Sequence, residues 1–220
     1  MDEVELSSLA EKVFHIIESS IWRGEMKPGE RVYDHRIAAQ FGISRSPVRE
    51  ALKRLEHFGL IRVVPRRGTY VAQMTSDEVA DLMDIREALE GMAARKAALR
   101  VSAATVEAMR QELAPLRDRA ETSGLSEYPQ VSTDFHDWVV ETSGNPKIKT
   151  LMRAIQGQIH LIRFRSGASP ERAPRAVREH LDILDAIAHR DADLAEARIR
   201  AHIRAARENI LSVWPSPSAA

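Results

Sequence analysis

Apolar positions recur at helical spacing near the start of the chain. Leu9, Val13, Ile16, Ile17 and Ile21 share one face of a helix predicted from Leu6 to Arg23. Gly24 and Pro28-Gly29 break it. A short second helix is predicted from Asp34, read as its cap, through Phe41, with Ile37, Ala38 and Phe41 inward. Gly42 makes a turn, and Ser44 caps a third helix that runs to about His57. Pro47 falls in its first turn, where no N–H is needed. After Gly59 the pattern changes. Leu60-Ile61-Arg62-Val63-Val64 and Thr69-Tyr70-Val71-Ala72 are β-rich runs joined by Pro65-Arg66-Arg67-Gly68, which predicts a hairpin. From Asp77 onward the strand signal stops. Ala-rich helical segments are predicted at 77–100, 103–121, 129–143, 146–166, 173–189 and 191–213. Breaks fall at Ser102, Ser123-Gly124, Gly144-Asn145-Pro146, Gly167 to Pro170, and His189 to Asp191.

The expected fold is therefore mainly α. Residues 1–75 form a winged helix-turn-helix with a small β-hairpin wing. Residues 76–214 form an all-α six-helix bundle for effector binding and dimerisation. Residues 215–220 form a disordered tail.

Composition narrows the function. With 44% hydrophobic and 29% charged residues, the 220-residue chain can bury a core in each of two domains and is not biased to disorder. It has no apolar run near the ~18 residues of a membrane span. Met1 to Ala10 lack the basic start and apolar middle of a signal peptide. The absence of cysteine excludes disulfides and thiolate chemistry. A cytoplasmic location is expected. Net charge is zero, but its distribution is uneven. Residues 31–70 hold nine Lys/Arg against three Asp/Glu, the chain's one strong asymmetry, on the same stretch as the predicted turn and hairpin. A basic footprint on one small module suits phosphate contact.

The spacing of Ile37, Ala38, Gly42, Ile43, Val48 and Leu52 is that of a helix-turn-helix, with the apolar residues packing the two helices together. It leaves Arg45, Ser46 and Arg49 on the outer face at the start of the second helix, the part that enters a major groove. Arginine there binds guanine bidentately or holds phosphate. Ser44, Ser46 and the helix N-terminal amides suit a phosphate oxygen. Arg66, Arg67 and Gly68 form the wing tip, where Gly lets the backbone approach DNA, plausibly at the minor groove.

These residues carry a specific resemblance. Ser44-Arg45-Ser46-Pro47-Val48-Arg49-Glu50-Ala51-Leu52, Gly59-Leu60-Ile61 and Arg66-Arg67-Gly68-Thr69-Tyr70-Val71 resemble the DNA-binding domain of GntR-family regulators over about residues 7–73. The resemblance implies operator contact by Arg45, Ser46, Arg49 and Gly68, with His35 or Arg36 as weaker candidates. Asp84-Ile85-Arg86-Glu87-Ala88-Leu89-Glu90, Phe135-His136, Gly144-Asn145-Pro146 and Glu179-His180 are similar to the FCD-type ligand-binding domain of the FadR subfamily. That implies a helical bundle around a small organic acid, often beside a divalent metal.

The histidines support a metal site independently. His180 and His202 each lie 11 residues from the turn at Asp191, so in an antiparallel hairpin they stand at one height, about 16 Å along each helix. His136 lies among Phe135, Val139 and Val140 and can face the same layer. Three imidazoles from separate helices suit Zn or a similar ion with open positions. The family's usual fourth ligand is an Asp one turn before the first of these histidines; here the residue is Ser132. Asp134 is about 200° around the helix from His136 and should not share its face. Three readings stay open: weakened metal affinity, a metal-bound water held by Ser132, or a metal-free pocket in which the histidines serve the ligand. Two stay open for Arg86: a bidentate partner of the effector carboxylate, or an intrahelical pair with Glu90 or Glu87. Arg163 and Arg165 are further ligand candidates. His160 and His189 suit surface or helix-end roles, and Asn145 suits ending a helix before Pro146.

The expected protein is a dimer on a palindromic operator of double-stranded DNA, a repressor in its expected sense, answering to a small carboxylate. Two other classes compete. A metal-dependent enzyme needs an acid or base beside the metal, and no Glu or Asp has convincing spacing for it. An architectural DNA protein has little use for so large a helical domain.

Overall fold

The computed structural model describes residues 3–122, 128–166 and 172–214. The expected 215–220 tail, and the expected breaks at Ser123-Gly124 and Gly167 to Pro170, lie outside the described residues. In chain order the elements are α1 (Glu3–Trp22), β1 (Arg31–Val32), α2 (Asp34–Phe41), α3 (Arg45–His57), β2 (Ile61–Val64), β3 (Gly68–Val71), α4 (Ser76–Arg100), α5 (Ala103–Thr122), α6 (Tyr128–Thr142), α7 (Pro146–Ser166), α8 (Arg172–Ala188) and α9 (Ala192–Val213). They form two compact units. One is Met1–Met74 with Arg153–Phe164; the other is Thr75–Met152 with Arg165–Ala220.

In the first unit, Val48, Ala51, Leu52 and Leu55 give α3 a buried stripe at 3–4-residue spacing. It packs on Val13, Phe14, Ile17 and Ile21 of α1 and on Leu60, Ile61 and Val71. Each such side chain contributes about 1.5–3 kcal/mol when fully buried. Gly42 adopts φ +63° at the end of α2, and the chain turns back so that Ile43 N–H donates to the Ala38 carbonyl at 3.0 Å. Ile16 and Phe41, expected inward, are exposed. Asp34 is the first residue of α2 rather than its cap; Tyr33 holds the cap position without a side-chain bond. Ser44 does stand at the cap of α3, but its hydroxyl makes no capping hydrogen bond.

The wing is larger than a hairpin. β1 joins it to give an antiparallel sheet of order β1-β3-β2, with Arg31 opposite Tyr70 and Ile61 opposite Val71. Two residues are too few to show an alternating pattern, so β1 has no sequence signal. The far half of α7 also belongs to this unit. Leu161 joins its core, and His160 stacks on Trp22 with ring centroids 4.8 Å apart. Gly157 permits the approach, since a Cβ there would stand 2.7 Å from the Phe58 carbonyl oxygen.

In the second unit, α4 packs against α9 and α6, α5 against α8, and α8 against α9. Thr75 and Glu78 close a reciprocal capping box at the start of α4. Asp191 caps α9 by accepting the Leu194 N–H at 3.0 Å. Asn145 does more than end a helix: its Oδ1 accepts the Lys147 N–H at 3.0 Å and so caps α7. On α4 the buried stripe includes Arg86 and Glu90, while neighbouring Ile85 is exposed. A charged pair thus occupies positions that packing would ordinarily give to apolar residues.

Candidate nucleic-acid interface and candidate metal centre

Arg45 and Arg49 stand side by side on the first turns of α3, with side chains 55% and 61% exposed. Both turn onto Asp34 of α2. Arg45 Nη2 donates to Oδ2 at 2.9 Å and to Oδ1 at 3.0 Å, and Arg49 Nε donates to Oδ2 at 3.0 Å. Burial alone would raise the Asp34 carboxyl; hydrogen bonds from Arg45 and then Arg49 outweigh it and hold the group below the usual range. Ser46, Arg49, Gly68 and Thr69 line one open groove with Asp34 and His35. The recognition-helix start and the base of the wing therefore face the same space. Ser44, Arg66 and Arg67 are exposed, the last two at the tip, where Arg66 adopts a left-handed φ of +63°. Gly68 has φ +119°, and a Cβ there would meet Arg31 Nε at 3.0 Å. Arg31 and Asp34 were given no contact role by the sequence. Both lie in the basic island, but only the fold brings them to the recognition helix and the wing.

The three predicted imidazoles do meet. His136, His180 and His202 are buried, and one ring nitrogen of each lies within 4.8 Å of the others. His202 Nε2 is 3.2 Å from both His180 Nε2 and His136 Nε2. Phe135 stacks on His180 with centroids 4.3 Å apart and fixes that ring. Two further carboxylates complete the arrangement. Glu90, with no exposed surface, contacts His136 Nδ1 and accepts Arg86 Nε at 2.6 Å. Glu179 contacts His202 Nδ1 through Oε2 at 2.7 Å, and the same oxygen accepts Arg172 Nη2 at 2.6 Å. Sequence reasoning missed Glu179 and Arg172 and offered Glu90 only as a pair for Arg86. Arg86 does make that pair, yet its Nη2 is buried with no hydrogen-bond partner. Ser132 is buried one turn before His136, and Asp134 is exposed, as the 200° offset requires. His189 lies at a helix end against the Asp185 carbonyl. The Arg165 side chain lies outside the described residues.

This donor set fits a divalent ion. A carboxylate at Nδ1 holds the proton there, so Nε2 of His136 and His202 each presents a lone pair. Two lone pairs 3.2 Å apart repel unless a cation lies between them. Two ligands about 2.0–2.1 Å from a zinc-like ion, at tetrahedral to octahedral angles, stand roughly 2.9–3.4 Å apart.

Burial lowers the His202 pKa from its ordinary 6.5, although Glu179 pulls it up. Burial would raise Glu179, but His202 and Arg172 bring it from 4.5 to about 2. In both cases the folded chain binds fewer protons than the unfolded one. The stabilisation is thus fully present above each ordinary value and is lost as pH falls through the folded value. Metal-free protein is expected to keep a level Tm above pH 7 and lose it progressively below about 6.5. Scanning fluorimetry in a chelator across pH 8 to 5 checks this; a Tm that rises on acidification contradicts it.

A winged helix-turn-helix with a basic reading face, joined to a helical unit that gathers buried histidines and arginines, defines a DNA-binding regulator with a ligand-sensing domain. The chain belongs to the GntR family of bacterial regulatory proteins: residues 9–71 match that family and residues 81–205 match the FCD domain, which fits the FadR-like subfamily. It is 25% identical over 203 residues to the HTH-type transcriptional repressor RspR of Escherichia coli (strain K12), covering 92% of this chain and 89% of that one. It is 29% identical over 187 residues to the Nta operon transcriptional regulator of Aminobacter aminovorans, covering 85% and 87%. The solved structure of E. coli McbR/YncC shares the fold, with a TM-score of 0.77 at 19% identity over 94% of this chain and 99% of the other. These domains and relatives are those of transcriptional regulators, not of enzymes. Among the described residues, no helix is long and apolar enough to cross a membrane.

Proposed function

We propose that this protein is a cytoplasmic, ligand-responsive repressor that binds a palindromic operator as a homodimer and senses a small organic acid beside a divalent metal. His136, His180 and His202 hold the ion, with Ser132 next to it. Arg86 takes an effector carboxylate through the Nη2 that Glu90 leaves unpartnered. The observation that carries the reading is the convergence of three buried Nε2 atoms, with His202 Nε2 3.2 Å from each of the other two. When bound, the ion supplies positive charge to bind and orient an anionic oxygen. In the reading head, Arg45, Ser46 and Arg49 meet the major groove. Ser44 meets phosphate, and Arg66, Arg67 and Gly68 form the wing contact.

Ile85, Met92 and Leu99 support the dimer. Spaced seven apart on α4, all are exposed by 42% or more, an apolar stripe suited to a second helix. The repressor sense rests on RspR.

Metal analysis with a thermal-shift screen of small carboxylic acids tests the reading. One ion per chain is expected on titration, lost in His202→Gln. Ser132→Asp should tighten its retention. An acid at 100 times its Kd should raise Tm by roughly 5–10 °C. No metal uptake and no shift with any acid would overturn it.

A further inference from the structure

We propose that Arg172 is a second anion-binding group of the effector site, so that the effector is a small acid with two anionic groups, a dicarboxylate rather than a monocarboxylate. This rests on the effector site proposed at Arg86.

Arg172 opens α8 eight residues before His180, yet its side chain folds down the helix to Glu179. Its guanidinium therefore stands near the histidine layer. The Glu179 oxygen that accepts Arg172 Nη2 is the one that contacts His202 Nδ1, so one oxygen separates guanidinium from imidazole. Arg86 reaches His136 through Glu90 as well, with Arg86 Nε on one carboxylate oxygen and His136 Nδ1 on the other. Two guanidinium–carboxylate–imidazole chains thus converge on one cluster of Nε2 atoms.

Each guanidinium also keeps buried donors unused. Arg86 Nη2 and Arg172 Nε and Nη1 have no hydrogen-bond partner. A buried orphan donor costs about 1–3 kcal/mol, and more on a charged group. Three on two arginines flanking one layer are better explained by an absent acceptor than by a packing fault. Arg172 is the richer of the two, with Nε and Nη1 both free on different edges of the guanidinium plane, each able to donate to an anionic oxygen.

Charge balance points the same way. Glu90 pairs with Arg86, Glu179 is shared between Arg172 and the exposed Arg175, and the imidazoles are neutral ligands. Ser132 brings no charge. A divalent ion would add two positive charges that no side chain of the trio offsets, and buried net charge is costly. A dianion supplies both negative charges and reaches both guanidinium groups; a monocarboxylate leaves one of each unmet.

The experiment is calorimetric titration of the zinc-loaded full-length protein with malonate, succinate and glutarate against propionate, butyrate and valerate, paired by chain length. At least one dicarboxylate is expected to bind about tenfold or more tightly than its partner, the worth of one hydrogen bond to a charged group. Arg172→Gln should bring that ratio near one with zinc content unchanged, whereas Arg86→Gln should weaken both classes. Arg172→Lys, which keeps charge but loses the planar set of donors, should fall between. Equal affinity for both classes in the wild type overturns the dianion inference alone and leaves the effector reading standing. It needs no variant, so a failure of Arg172→Gln to fold does not protect the proposal. A ratio unchanged in folded Arg172→Gln removes Arg172 from the site. Binding of no acid of either class sinks the effector reading and this inference with it.

Discussion

Arg49→Ala is expected to abolish operator binding while leaving the fold and effector affinity intact. Arg49 is largely exposed, so its loss should alter stability by no more than about 1 kcal/mol. In the DNA-free head it makes an exposed pair with Asp34, worth about 1 kcal/mol at most. On DNA the balance differs. One bidentate arginine–guanine contact contributes about 1–3 kcal/mol, and a dimer loses it twice. The expected loss is thus roughly 30- to 20,000-fold. Asp34 enlarges it: with Arg49 gone, this carboxylate faces the groove with one arginine on it instead of two. The mode of contact can be read from the same variant. If Arg49 holds phosphate, all sequences weaken alike and the salt slope drops by about one per site. If it reads a base, discrimination at one operator position relaxes. Fluorescence anisotropy on operator and scrambled duplexes at two salt concentrations separates these outcomes. Wild-type operator affinity would remove Arg49 from the reading head.

The helix-turn-helix was legible because each of its devices is local. Gly42, Pro47 and the Val48-Leu52 stripe act within a turn or two of themselves. The His180–His202 match was legible because an antiparallel hairpin ties height to distance from its turn, and both lie 11 residues from Asp191. What escaped was non-local or too short. β1 has two residues and takes its strand form from β3. Arg153–Phe164 reads as plain amphipathic helix, and nothing in its pattern shows that Leu161 enters the core of the first unit. Glu179 sits beside His180 in sequence, but it serves His202 on the next helix because adjacent residues point about 100° apart. Arg86 posed a choice between Glu90 and an effector. The structure shows the Glu90 pair with one donor left over, a division that no spacing rule can express.

Glu90→Gln is expected to cause the largest stability loss in the helical unit. Glu90 is fully buried between Arg86 and His136 and accepts from the one while contacting the other. Glutamine keeps the shape but offers one acceptor oxygen where the site uses two, and its amide would point at a donor. It also leaves the Arg86 charge buried without a counter-ion. Breaking one side of a buried pair costs about 3–5 kcal/mol. For a chain of this size that is roughly 6–20 °C in Tm. Removing both charges is a different matter, because apolar replacement of a buried pair is often near neutral. Arg86→Met with Glu90→Leu should therefore recover most of the lost Tm. The two variants then separate stability from sensing. The double variant should melt close to wild type yet show no thermal response to carboxylic acids, since the effector's guanidinium is gone. Metal affinity adds a second readout: with no acceptor at Nδ1 in the double variant, His136 no longer has a fixed tautomer, and zinc binding by competition should weaken about 10–100-fold there. A Glu90→Gln protein melting within about 2 °C of wild type would show that Arg86 is not held as a buried ion. An acid response retained in the double variant would show that the carboxylate is taken elsewhere.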